Sequence, residues 1–176
     1  MFARWPMIPI CVTALAAAVG CATSQPATDP GAVASAYAAA GRWDEAGREI
    51  EVAVRSHPRD VGLRRRAAEI QARARNPDRA VSHLEKAIEL APGQHSTWLQ
   101  LAELEKSRDN FPDAYVAYRR ATELAPDDIR AVSGLALTAE VLHFDEEARE
   151  AYARWAELER SRDVGRPPRE TSGPPN

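Results

Sequence analysis

The sequence predicts an all-α array of helical hairpins, and two observations carry that prediction: a proline and a set of alanines that both recur every 34 residues. Pro58, Pro92 and Pro126 stand 34 residues apart. With the proline at position 32 of a 34-residue unit, Ala34, Ala68, Ala102 and Ala136 all take position 8. Ala46, Ala80, Ala114 and Ala148 all take position 20. Position 24 carries Ile50, Leu84, Tyr118 and Tyr152, and position 27 carries Ala53, Ala87, Ala121 and then Trp155. No period-two alternation of useful length is present, so no sheet is expected.

These residues resemble the tetratricopeptide repeat, whose pattern is a bulky residue at position 4, apolar at 7, small at 8, aromatic at 11, Ala at 20, aromatic at 24, Ala at 27 and Pro at 32. The resemblance implies a right-handed α-solenoid of about four helix-turn-helix repeats. The first unit, residues 27–60, keeps Val33, Ala34, Tyr37, Ala46, Ala53 and Pro58. The second, 61–94, has Arg64 and Gln71 where bulky residues belong, but Ala80, Leu84, Ala87 and Pro92 restore the pattern. The third, 95–128, matches best through Trp98, Leu101, Ala102, Ala114, Tyr118, Ala121 and Pro126, with Glu105 replacing the aromatic at position 11. The fourth, 129–162, shows Val132, Leu135, Ala136, Ala148 and Tyr152, and has Arg160 where a proline is due.

Elementary physics points the same way. Small residues at positions 8 and 20 let two antiparallel helices approach closely, and alanine favours the helix itself. Between Asp113 and Leu124, the residues Ala114, Ala117, Tyr118, Ala121 and Leu124 fall on one helical face, with Arg119, Arg120 and Glu123 on the other. Proline disfavours α geometry in the residue before it and has no N–H to donate, so the segments ending in Pro58, Pro92 and Pro126 each stop a helix.

The N-terminus reads differently. Arg4 precedes an apolar run, residues 7–20, that ends in Ala18-Val19-Gly20-Cys21. The run is short for a membrane-spanning helix, which needs about 20 residues. It looks like a bacterial lipoprotein signal peptide covering residues 1–20, with Cys21 the lipidated residue; the alternative is an ordinary secretory signal or an uncleaved anchor in which Cys21 is incidental. Cys11 would leave with the signal, so a disulfide within one mature chain is not expected. Two lipid chains on Cys21 would give stable membrane anchoring. Residues 21–31 read as a polar tether and 165–176 as a proline-rich disordered tail. Ala22 follows the cysteine where aspartate often retains lipoproteins in the inner membrane, so the resemblance implies an outer-membrane anchor facing the periplasm.

Composition narrows the function classes. The chain carries 23 basic and 26 acidic residues, a net charge of −3, so no strong field draws it to nucleic acid. His57, His83, His95 and His143 occupy different repeat positions and do not converge on a metal. No phosphate-cradling glycine loop or nucleophile elbow is present. The clusters Asp44-Glu45, Asp127-Asp128 and Asp145-Glu146-Glu147 read as helix-start charges that complement the dipole and cap exposed N–H groups. Neither a catalytic set nor a cofactor is expected.

Binding is the remaining class, and the resemblance says where it would occur. In such repeats the first helix of each unit lines a concave groove through positions 2, 5, 6, 9, 12 and 13, which here nominates Arg65, Arg66, Glu69, Arg73, Leu99, Gln100, Glu103, Arg130 and Leu137 as contacts for a protein or peptide, with Gly134 beside them. The first unit offers a shelf of small residues, Thr28, Gly31, Ala32, Ser35, Ala38 and Ala39. The lysine and asparagine clamp by which family members grip a C-terminal carboxylate is absent. Lipid anchor and repeats together resemble the pilotin-type lipoproteins of type IV pilus secretins; the alternative is an adaptor of peptidoglycan hydrolases or synthases. Trp155, at the end of the array, is expected to fold down as a cap, with homodimerisation through the C-terminal face as the second expectation.

Overall fold

The structure is a computed structural model that describes residues 29–164. Its elements are α1 (Ala32–Ala39), α2 (Trp43–Ser56), α3 (Val61–Arg73), α4 (Pro77–Leu90), α5 (His95–Ser107), α6 (Phe111–Leu124), α7 (Ile129–Val141) and α8 (Asp145–Val164), with no strand among the described residues. Consecutive helices pair into four hairpins, and each helix packs chiefly against the helix before it and the helix after it. Apart from α1 the register is kept along the array: α3, α5 and α7 each start at position 1, and α2, α4, α6 and α8 each start at position 17. The signal segment, Cys21, Thr28 and the 165–176 tail lie outside the described residues.

Two local devices set the helix limits. Asp60 Oδ1 accepts from the N–H of Leu63 at 2.9 Å, and Asp128 Oδ1 from that of Arg130 at 2.9 Å, satisfying donors that no helical turn can reach. Asp44 and Glu45 lie in the first turn of α2, yet the residue before that helix is Arg42, and Glu45 is turned back to accept from it at 2.8 Å. Only the dipole half of the expected role therefore applies to that pair. At the other end, α2, α4 and α6 stop two residues before Pro58, Pro92 and Pro126. The first helix of unit one is shorter than its equivalents, 8 residues against 13. Pro30 and Gly31 precede it, and Asp29 Oδ1 instead accepts from the N–H of Gly31 at 3.0 Å.

The turn inside each hairpin is the same four times over. Position 15 adopts the left-handed region: Gly41 at φ 73, Arg75 at 59, Asp109 at 59 and His143 at 58. The following N–H reaches back across the turn, as Asn76 N to Gln71 O at 2.9 Å and Phe144 N to Ala139 O at 2.9 Å. This is a Schellman closure, and it satisfies carbonyls that the helix leaves open. Three of the four units tolerate a side chain there at a cost of roughly 1–2 kcal/mol each.

The core follows the alanine period. Ala34, Ala68, Ala102 and Ala136 are 1, 3, 0 and 0% exposed, and Ala46, Ala80, Ala114 and Ala148 are 0, 0, 0 and 6%. Larger side chains at position 24, Ile50, Leu84 and Tyr118, fill the space beside them and are fully buried. Replacing Ala114 by leucine forces the α5–α6 crossing apart. The expected loss is about 1–3 kcal/mol of stability, read as an earlier midpoint in urea unfolding with helical content retained below the transition.

Candidate interaction surface

Helices α1, α3, α5 and α7 line one side of the array, and neighbouring pairs leave troughs between them. Ser35, Ala38, Ala39, Arg66, Ile70 and Arg73, with Trp43 at the rim, enclose about 370 Å³ between α1 and α3. Ala68, Ala72, Leu84 and Leu104 floor a second trough of about 260 Å³ between α3 and α5, with Gln100, Glu103 and Ser107 on its far wall. Glu69 and Arg73 border both, so the two are continuous. In each case positions 9, 12 and 13 of one unit face positions 6, 9, 10 and 13 of the next. The floor is apolar because position 12 is alanine in the first two units; the rim is charged because it meets solvent.

The rim charges are paired rather than free. Arg65 Nε donates to Gln100 Oε1 at 2.8 Å, and Arg130 Nη2 lies 2.6 Å from Glu103 Oε1. Arg66 pairs with Asp29. Arg73 holds Glu69 at 3.5 Å while its guanidinium lies over the Trp43 ring, 5.1 Å from the centroid. Three of these four contacts cross from one unit to the next. They fix side-chain direction more than they add stability, since exposed ion pairs contribute about 0–1 kcal/mol. The Gly31 N–H and then the Arg66 guanidinium hold the Asp29 carboxyl below its usual range. The hydrogen bond to Glu103 raises Arg130.

Of the residues nominated from the sequence, Arg65, Arg66, Glu69, Arg73, Gln100, Glu103 and Arg130 border these troughs or the ion pairs along them, and Leu137 is 42% exposed at the far end. Leu99 does not belong with them. It is 4% exposed and packs in the core with Ala102, Ala114 and Ala117, because the alanine crossing brings α6 close enough to roof it. Gly134 is corrected in the same way: a Cβ there would overlap the Tyr118 ring, which lies against its backbone. Gly31 is likewise covered, with Arg66 Nη1 2.6 Å from where its Cβ would be.

Sequence reasoning also missed what position 11 does. Gln71 is fully buried; its Nε2 donates to Gly47 O at 3.2 Å and Glu51 Oε1 at 2.8 Å, and its Oε1 accepts from Asn76 at 3.1 Å. His83 Nε2 meets the same Glu51 oxygen at 3.0 Å. In unit three Glu105, 4% exposed, accepts from Arg108 at 3.1 Å and Asn110 at 3.0 Å. The signal was present as the asparagine at position 16 of both units, five residues on. Trp43 carries no periodic mark and could not have been found. The remaining histidines stand apart: His95 meets Asp128 at 3.2 Å, while His57 and His143 are exposed. No group of three or more His, Cys, Asp or Glu among the described residues could hold a metal.

Residues 71–139 match the family of the tetratricopeptide repeat. Residues 71–139 thus carry tetratricopeptide repeats, within an α-solenoid of helical hairpins that runs through the described residues. A crystal structure of MamA shares 18% identity at a TM-score of 0.70, covering 77% of this chain and 79% of that one. MamA from Desulfovibrio magneticus RS-1 shares 19% at 0.67, covering 76% of each. YrrB, described as a TPR protein with an unusual peptide-binding site, shares 18% at 0.62, covering 71% of this chain and 64% of its own. At these identities the likeness is one of fold. No curated protein matches the sequence significantly.

Tyr118 joins the third tetratricopeptide unit to the fourth, and burial, followed by the charge of Glu103, pushes its phenol up to about 12. The folded state thus keeps a proton that the unfolded chain loses near pH 10. The stability involved is complete below about pH 10 and is lost as pH rises toward 12. Tyr118→Phe should remove the last phase of tyrosinate absorbance and flatten that loss; an unchanged titration would refute the assignment.

Proposed function

We propose that this tetratricopeptide array is a non-enzymatic scaffold that holds a protein partner along the trough formed by α1, α3 and α5. One observation carries the reading: two adjoining recesses share Glu69 and Arg73, have alanine-lined floors, and have rims whose charges are already oriented by pairing. Small floor residues let a partner's backbone come close, and pre-oriented rim groups lower the ordering cost of binding. The repeat is an architecture of stacked hairpins whose long concave face suits extended or helical segments.

The scaffold is read as tethered to a membrane through Cys21, on the outer membrane and facing the periplasm, where it assists assembly of an envelope complex in the manner of a pilotin. That part rests on residues 7–21 of the sequence: a short apolar run, small residues and one cysteine before a polar linker. Among the described residues no helix is long and apolar enough to cross a membrane.

Two measurements test the halves separately. Pull-down from detergent-solubilised envelope should recover a secretin-type partner, and Ala72→Arg, which fills the floor of the trough, should weaken recovery at least about tenfold, equivalent to about 1.4 kcal/mol. Undiminished capture by a folded Ala72→Arg protein excludes the trough, and recovery of peptidoglycan hydrolases or synthases instead would select the adaptor reading. Labelling with a fatty-acid analogue should vanish in Cys21→Ser; persistent labelling would remove the anchor.

A further inference from the structure

The end of the array repeats a wall that another helix faces earlier in the chain and that no helix among the described residues faces here. In unit two that wall is Glu69, Ala72, Arg73 and Leu84, and α5 faces it across the trough, so that Leu84 is buried while Glu69 and Arg73 stay exposed. Two units on, the same positions hold Leu137, Glu140, Val141 and Tyr152, and no helix among the described residues follows α8 to close them. The chemistry changes with the loss of cover. Position 9 runs Ser35, Glu69, Glu103 and then Leu137, while position 13 runs Ala39, Arg73, Ser107 and then Val141. Leu137 is 42% and Val141 49% exposed. Trp155 folds onto its own helix, stacking on Tyr152 with centroids 6.1 Å apart, and Tyr152 donates to Glu140. That cap leaves Leu137 and Val141 uncovered, and it leaves the buried Trp155 Nε1 without a hydrogen-bond partner. A terminal unit ordinarily ends on a polar face; an apolar one marks an association surface.

The sequence narrows what can cover it. Residues 165–176 offer no apolar side chain other than four prolines to lay against it. Helix α8 of a second copy can cover it. It is 20 residues long where α6 has 14, and it projects beyond the body of the array. One stripe of it carries Asp145, Arg149, Tyr152, Ala156 and Glu159 at helical spacing, with Tyr152 at the edge that packs toward α7. Antiparallel pairing about a two-fold axis midway between Tyr152 and Ala156 sets Arg149 of each copy opposite Glu159 of the other. Each of these two is paired only within its own helix, Arg149 with Glu146 at 3.0 Å and Glu159 with Arg162 at 2.8 Å, so a second partner can be added. The face is self-complementary, as a two-fold interface must be.

We propose that this end face is a homodimer interface in which α8 of a second copy covers Leu137, Val141 and Tyr152, flanked by reciprocal Arg149–Glu159 pairs. Sedimentation equilibrium of the protein purified in a density-matched non-ionic detergent tests it. The wild type is expected to be a dimer and Val141→Lys a monomer, both with native helical content, since Val141 is already half exposed. Arg149→Glu is expected to raise the dimer dissociation constant at least about tenfold, and adding Glu159→Arg to recover it, because only an antiparallel pair responds to the exchange. A monomeric wild type, a dimer that survives Val141→Lys, or a double variant no tighter than the single one overturns the proposal. The second result would place association elsewhere in the chain, including residues 7–20. Partner capture is read independently, because Ala72 lies two units away from this face.

Discussion

Two helices joined by a short turn bury a common stripe only if their axes come within about 8–10 Å, and alanine at positions 8 and 20 is what lets every hairpin here reach that distance. Much else depends on this approach. It roofs Leu99, leaves room beside the crossing for one large residue at position 24, and so determines which side chains reach the next unit. Tyr118 then rests on Gly134, whose missing side chain is the complement of the ring. A tight hairpin also makes the troughs narrow, because neighbouring units can stack only as far apart as their position-24 residues hold them.

The architecture was legible in the sequence because a period constrains many residues at once. Seven of the eight helix starts fall where a 34-residue unit puts them, and the shortened α1 follows from Pro30 and Gly31. The interaction surface was only partly legible. A repeat position says which way a side chain leaves its helix, and Arg65, Glu69, Arg73 and Glu103 do lie along the troughs or the contacts beside them. It does not say what lies over the side chain, which depends on the size of residues in another unit; Leu99 and Gly134 were misplaced for that reason. Gln71 read as a defect at an apolar position because its partners, Gly47, Glu51 and Asn76, come from three segments that no single-position pattern connects.

The rim of the troughs shows how a nearly neutral molecule can present charge without a strong field. Arg130 to Glu103 and Arg65 to Gln100 span adjacent units, so guanidinium groups sit at fixed places, the first with its charge balanced by a carboxylate and the second held on a neutral amide. A surface of this kind discriminates partners by where hydrogen-bonding groups fall, and its affinity changes little with salt compared with a uniformly basic groove.

The two junctions at either end of the array are made of different material. Units one and two share an apolar cluster that includes Ile50, Val54, Leu63 and Ile70, and beside it a polar set, Gln71, Glu51 and His83; units three and four meet through an aromatic ring on a glycine backbone. Exposing polar surface lowers the heat capacity of unfolding, whereas exposing apolar surface raises it. The polar set therefore subtracts from the heat-capacity change that opening the first junction would give from its apolar cluster alone.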